Sequence, residues 1–394
     1  MKALTFQGRY DLRPMRVPDP FIVDPQDVIL RVIGSATCGP DLHLLNGYIP
    51  TMMAGDIIGH EFIGEVVELG PGVKNLRRGD RVVVAASIGC GDCAYCQNES
   101  WSLCDNSNPN AYMVEPLFGD APAALYGYSH SFGGYAGGHA EYVRVPFADK
   151  GCFVIPESIR NDQAIACADA FPTGYMAASM ADIKPGDIVA VWGAGGVGQM
   201  AMQSAWLMGA GRVICIDREP ARLALAAKHC KAEILDFSKV EVLQALKEMT
   251  AGRGVDCCID AVGMEAVDDS FQYYMDKAKQ FVRIESDRPL VLRQMIIAAK
   301  KGGNLSIVGV YGGLVDSIPM GAAMNKGLTW KMGQLHAQKY IPRLFEHIEK
   351  GEVDPSYLFT HTFTLNEGMK AYDTFNRRAD GIMKAVLLPS GTFA

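Results

Sequence analysis

Four cysteines crowd into fifteen positions of this chain, as Cys90, Cys93, Cys96 and Cys104. A Cys-x-x-Cys-x-x-Cys run with a fourth cysteine after seven residues lets four thiolates wrap one tetrahedral ion. Zinc suits four soft ligands with no redox demand, and an iron–sulfur cluster is the alternative, although this spacing is not one of its usual ones. Four thiolates leave the ion no open position, so such a site staples a loop that lacks a core of its own. A second run with chemistry in it is Gly193-Ala194-Gly195-Gly196-Val197-Gly198. Its glycines permit a tight turn, close approach of backbone to a pyrophosphate, and close packing of helix on strand. Amides at the start of the following helix face the negative phosphates. Asp217 ends the next apolar run about 20 residues further on, where an acid accepts hydrogen bonds from the adenosine ribose. A carboxylate there repels a 2′-phosphate, which favours NAD over NADP; Arg218 and Arg222 close by weigh against that choice.

These groups need elements to hold them. The first third alternates short apolar runs, Val28–Val32, Gly64–Glu68 and Arg81–Val84, with turn signals such as Gly70-Pro71-Gly72 and Arg78-Gly79-Asp80. That pattern predicts a largely β region. Residues 105–135, rich in Asn, Pro, Tyr and Gly and without clear periodicity, read as a long surface loop. From about 172 the pattern changes to strands (Ile188–Trp192, Val213–Asp217, Val255–Ile259, Leu305–Val310) alternating with helical stretches. Those stretches include one opening near Gln199, then Ala221–Cys230 and Val240–Met249. The alternation predicts an α/β, doubly wound parallel sheet of the Rossmann type. A helix over Tyr340–Lys350 and a strand over Met383–Leu388 are too little for a further domain and are expected to return to the first one. The expected division is 1–171 with 335–394, and 172–334.

Composition excludes several function classes. The chain has 394 residues, a formal net charge of −7 and a pI near 5.7, with no basic footprint for nucleic acid. The start, Met1 to Phe6, runs straight into a strand-like segment, and no apolar run approaches the roughly 18 residues of a membrane span. No membrane partner and a cytoplasmic location are therefore expected. Eleven cysteines under those conditions are reduced thiols and metal ligands, not a disulfide framework.

Cys38-Gly39-Pro40-Asp41-Leu42-His43, then Gly59-His60-Glu61 leading into Gly64-Glu65-Val66-Val67, then the cysteine lobe and the glycine-rich run, resemble the zinc-containing medium-chain alcohol dehydrogenases. The resemblance covers nearly the whole chain. Finer features are most similar to the glutathione-independent formaldehyde dehydrogenase and formaldehyde dismutase branch. These are Gly133 to Tyr142, Asp169-Ala170-Phe171-Pro172-Thr173-Gly174-Tyr175, Asp287-Arg288-Pro289 and Gly333-Gln334-Leu335-His336.

The resemblance implies a GroES-like, mainly β catalytic domain carrying the cysteine lobe, a Rossmann domain, and two zinc ions per chain. Cys38, His60 and Asp169 are then the ligands of a catalytic zinc with one open position, Cys167 being a rival for Asp169. Glu61 and Asp41 orient those ligands, and His43 is the candidate proton outlet. Gly39 and Thr173 are implied to touch the cofactor from one side, and Val197, Arg222, Val262, Gln334 and His336 from the other, with Lys384 on the pyrophosphate. The implied reaction is hydride transfer between a small alcohol or hydrated aldehyde and NAD, in a homo-oligomer, dimer or tetramer. One position departs from the family: Pro40 stands where relatives usually carry a Ser or Thr whose hydroxyl passes the alcohol proton on. Rival readings are a short-chain or polyol alcohol dehydrogenase with freely exchanging cofactor, and a zinc and nucleotide binding relative that lost turnover with Pro40. A zinc-free quinone reductase is disfavoured because those relatives lack both cysteine sets. Without the resemblance, Cys38 reads equally as a buried thiol and His60 as a satisfied core histidine.

Overall fold

The computed structural model describes residues 1–264, 289–389 and 393. The chain divides into two compact units, Met1–Pro172 with Leu335–Ala394, and Thr173–Gln334. Asp287 and Arg288, singled out above, lie outside the described residues.

The first unit is built on a seven-stranded sheet. Phe359–Thr364, Lys384–Leu388, Val28–Ala36, Glu61–Leu69, Arg81–Val84 and Cys152–Val154 lie side by side in that order, and Tyr142–Val145 also pairs with Val28–Ala36. Runs of β-branched and aliphatic residues suit a pleated, half-buried surface. Val28, Leu30, Val32, Phe62, Val66, Val82 and Val84 from these strands share one core. The C-terminal return supplies the edge strand Phe359–Thr364 and the strand beside it. Lys384–Leu388 is buried along its whole length and runs antiparallel to Val28–Ala36, with Val386 opposite Ala36 and Leu387 opposite Ser35. The expected long loop at 105–135 holds short helical turns at Ala111–Met113, Glu115–Phe118 and His130–Phe132. Asparagine side chains tie it together: Asn108 donates to the carbonyls of Pro122 and Ser131, and Asn110 to that of His130.

The second unit carries a six-stranded sheet in the order Glu233–Asp236, Arg212–Asp217, Ile188–Trp192, Val255–Asp260, Ala299–Ile307, Thr329–Met332, every pairing parallel. The strand sequence reverses direction between Ile188–Trp192 and Val255–Asp260, the crevice where doubly wound sheets bind ligands. Besides the two edge strands, Glu233–Asp236 and Thr329–Met332, two boundaries depart from the sequence reading. The helix after the first strand begins at Gly196, not near Gln199, because the glycine run carries no side-chain periodicity but already takes helical form. The strand expected to continue to Val310 stops at Ile307, where the amides of Val308 and Gly309 turn to the Asp260 carbonyl. Among the described residues no helix is long and apolar enough to cross a membrane.

Candidate active site and metal centres

The site of the first unit starts from a helix cap. Strand Val28–Ala36 ends two residues before Cys38, which caps the short helix Gly39–Leu45. Asp41, in the first turn, reaches back to accept the Cys38 backbone N–H at 2.9 Å. Pro40 is tolerated there because the first-turn amides have no intrahelical partner to lose. Local sequence therefore fixes a thiol and a carboxylate side by side. Glu61 opens the neighbouring strand opposite Ala36, and His60 immediately precedes it. Asp169 arrives just past the helical turn Ile165–Ala168.

Cys38, His60, Glu61 and Asp169 each turn a donor atom into one cluster, all four atoms within 4.8 Å of one another. Cys38 Sγ is 3.5 Å from Asp169 Oδ2, and His60 Nε2 is 3.6 Å from the same oxygen. His60 Nδ1 faces away, 3.0 Å from Asp41 Oδ1, and neither atom makes a hydrogen bond. Glu61 is fully buried, and its Oε1 accepts from Lys384 Nζ at 2.7 Å while its Oε2 has no hydrogen-bond partner. Burying a carboxylate oxygen with nothing to bind is costly, so this donor set fits a cation. The electrostatics agree. Burial pushes the Cys38 thiol up to about 12, with Lys384 opposing and Glu61 and Asp169 adding to the rise. Burial likewise lifts Glu61 to about 7, partly offset by Lys384. Burial alone would lower His60, but Asp41, Asp169 and Cys38 outweigh it and raise it. A set that holds its protons this firmly releases them when a cation binds.

The cysteine lobe closes in the same unit. Cys90 Sγ and Cys96 Sγ are 4.0 Å apart, as are Cys93 Sγ and Cys104 Sγ. Tetrahedral coordination at about 2.3 Å sets sulfur atoms roughly 3.8 Å apart, so the four fit a zinc ion. Backbone N–H groups aim at the sulfurs: Cys90 N–H at Cys104, and those of Asp92 and Cys93 at Cys90. Against the cost of burial, these donors and the Asn106 amide lower Cys90 to about 7.

In the second unit, Gly193 has φ +97°, and a Cβ on Gly198 would sit 1.9 Å from the Gly193 carbonyl oxygen. Only glycine lets the turn and the helix come so close. Asp217, buried at the end of its strand, accepts from Ala194 N–H at 2.7 Å and from the amides of Arg218 and Glu219. It thereby ties the glycine-rich turn to the next strand. Arg222 lies beside Gly195, and Val262 packs beside Gly193.

Comparison with known proteins agrees with this geometry. Residues 24–157 match the alcohol dehydrogenase GroES-like domain and residues 196–283 the zinc-binding dehydrogenase domain. A zinc-type alcohol dehydrogenase-like protein of Bacillus subtilis is 40% identical over 99% of this chain and 100% of its own length. A glutathione-independent formaldehyde dehydrogenase of Pseudomonas aeruginosa is 32% identical over 95% of this chain and 94% of its own. The solved alcohol dehydrogenase of Thermus sp. ATN1 superposes with a TM-score of 0.84 at 29% identity, covering 98% of this chain and 99% of that one. The chain belongs to the zinc-dependent medium-chain alcohol dehydrogenase family.

As a zinc-type alcohol dehydrogenase-like oxidoreductase, the protein distributes its expected residues unevenly. Cys167 is buried but is no part of the donor cluster. His43 is buried on the capped helix, also outside the cluster. Gly39 has open space where a Cβ would project. Thr173 and Gln334 lie at the two ends of the second unit. His336 Nδ1 meets the Ser102 backbone N–H at 3.3 Å and hydroxyl at 3.1 Å, beside the cysteine lobe. Lys384 is buried, with its ammonium against Glu61 beside the metal donors. The sequence reading missed Tyr372 and Ser35, and took His139 only as part of a family-like stretch. No local signal marks Tyr372, which meets its partner Asp41 from 331 positions away.

Proposed function

We propose that this alcohol dehydrogenase transfers hydride between a small alcohol or hydrated aldehyde, such as formaldehyde, and NAD. Two zinc ions per chain support it, one held by Cys38, His60 and Asp169 and one by the four lobe cysteines. The observation that carries the reading is the buried donor cluster with an unpartnered Glu61 oxygen. Bound there, zinc supplies Lewis acidity that eases loss of the substrate hydroxyl proton, and the nicotinamide ring supplies the hydride acceptor. The chain's own groups do the rest. Asp41 holds His60 with its Nε2 toward the cluster. Glu61, backed by Lys384, offers a spare carboxylate oxygen that can exchange onto the ion. His43 is the proton outlet, a step that Pro40 cannot assist because it has no hydroxyl. Asp217 disfavours a 2′-phosphate and so supports NAD. The likeness to the formaldehyde dehydrogenase of P. aeruginosa supports the aldehyde choice, and the family resemblance supports a cytoplasmic dimer or tetramer.

The test is a substrate screen at nicotinamide absorbance, run on the native chain and on Pro40→Ser. The expected result is turnover of small alcohols or aldehydes with NAD, with alcohol turnover rising in the variant. Two zincs per chain with no turnover on any substrate would favour the non-catalytic relative. Nucleotide copurifying with the protein would favour the formaldehyde branch over a freely exchanging alcohol dehydrogenase.

A further inference from the structure

Behind the donor cluster lies a line of buried polar side chains, of which the proposed chemistry gives a task to Asp41 alone. Asp41, Tyr372, His139 and Ser35 are all fully buried. Tyr372 donates its hydroxyl to Asp41 Oδ2 at 2.8 Å, His139 Nε2 is 2.8 Å from the Tyr372 oxygen, and His139 Nδ1 is 2.7 Å from Ser35 Oγ. The imidazole is closely fitted: a Cβ on Gly59, the residue before His60, would lie 2.5 Å from His139 Nδ1.

Proton counting gives the line a direction. Asp41 is the fixed end, because a carboxylate only accepts. Once the Tyr372 proton points at Asp41, the Tyr372 oxygen accepts from His139 Nε2–H. A neutral imidazole protonated on Nε2 accepts at Nδ1, and there the Ser35 hydroxyl stands. Burial holds His139 down at about 4, so the neutral form prevails near neutrality. The alternative Ser35 contact, to the Glu61 carbonyl, is longer at 3.1 Å. Every donor therefore points the same way, Ser35 to His139 to Tyr372 to Asp41, and such chains reinforce one another in a low-dielectric interior.

We infer that Tyr372 and His139 are positioning residues of the metal centre, acting through Asp41 to fix the ring and tautomer of His60. The inference rests on the reading of Cys38, His60 and Asp169 as metal ligands. With Oδ2 taken by Tyr372 and the Cys38 amide, Asp41 Oδ1 is left facing His60 Nδ1 at 3.0 Å, and Nε2 is the nitrogen turned toward the cluster. Partners of this kind typically change metal affinity about 10–100-fold when removed.

The experiment is chelator competition on the zinc-loaded protein, following each zinc equivalent, with cobalt-substituted protein giving the visible spectrum of the site. Tyr372→Phe, which removes one oxygen, should weaken the cluster ion about 10–100-fold and alter the cobalt bands while the lobe zinc stays as tight as in the native chain. His139→Gln, whose amide N–H can still donate to Tyr372, should keep most of the affinity, and His139→Leu should lose it; this pair carries the comparison if Tyr372→Phe does not fold. Native affinity and native cobalt bands in Tyr372→Phe overturn the inference, as does equal behaviour of the two His139 variants. A native chain that binds zinc in the cysteine lobe alone overturns the ligand reading instead.

Discussion

Lys384 and Glu61 form an ion pair whose members are 3% and 0% exposed, and that burial decides what either residue is worth. Removing one partner leaves a charge with no solvent to receive it. Lys384→Met should therefore destabilise the first unit by about 3–5 kcal/mol, read from urea unfolding of the zinc-loaded protein; a loss below about 1 kcal/mol would mean the pair is solvated. His139 gives a pH signature at the same scale. Its folded value of about 4 lies below the ordinary 6.5, so the unfolded chain takes up the proton first. The resulting stability is whole above about 6.5 and drains as pH falls toward about 4, by an amount on the order of 3 kcal/mol. Stability measured across that interval should fall less steeply in His139→Gln than in the native chain.

Elements bring these residues to their stations, and two of them can be broken by one atom. Gly198 lies in the first turn of the helix Gly196–Leu207. Gly198→Ala drives a methyl into the Gly193 carbonyl, so the turn must open; a cost of about 1–3 kcal/mol and an at least tenfold weaker NAD titration are expected. Unchanged NAD affinity would show that the turn yields without loss. In the cysteine lobe the elements are four-residue or shorter helical turns, Ala94–Gln97 and Trp101–Leu103, with little core beneath them. Cys93→Ala should remove one zinc of two and lower the thermal midpoint, with metal analysis reading the first effect and calorimetry the second. Retention of both zincs would mean that three thiolates suffice.

At the scale of the molecule, the first unit is discontinuous in sequence. Its last 60 residues, Leu335–Ala394, supply two of the seven strands as well as Lys384 and Tyr372. A chain ended at Gln334 loses Lys384–Leu388 from beside Val28–Ala36 and leaves Asp41 and Glu61 without these partners. Such a chain should carry less than one equivalent of cluster zinc and expose the apolar face formed by Leu4, Leu45 and Ile58. Dye binding and metal analysis would read this, and a truncated chain that keeps two zincs would refute it.

Short spacings were legible from residue types alone. Four cysteines in fifteen positions and a glycine run followed about 20 residues on by an acid lie close enough in sequence for their chemistry to be seen without the fold. The parallel strands of the second unit were legible for a similar reason, since buried on both faces they read as unbroken apolar runs. Edge strands Glu233–Asp236 and Thr329–Met332 were not, being short and partly exposed. Only the tertiary structure decided where Lys384 points, that Asp169 and not Cys167 meets the donor cluster, and that Tyr372 stands behind Asp41. The first hangs on sheet register, where a slip of one residue turns every side chain to the other face; the other two hang on how the turn Ile165–Ala168 and the helix Gly368–Asn376 pack, which is set by contacts between segments far apart in sequence.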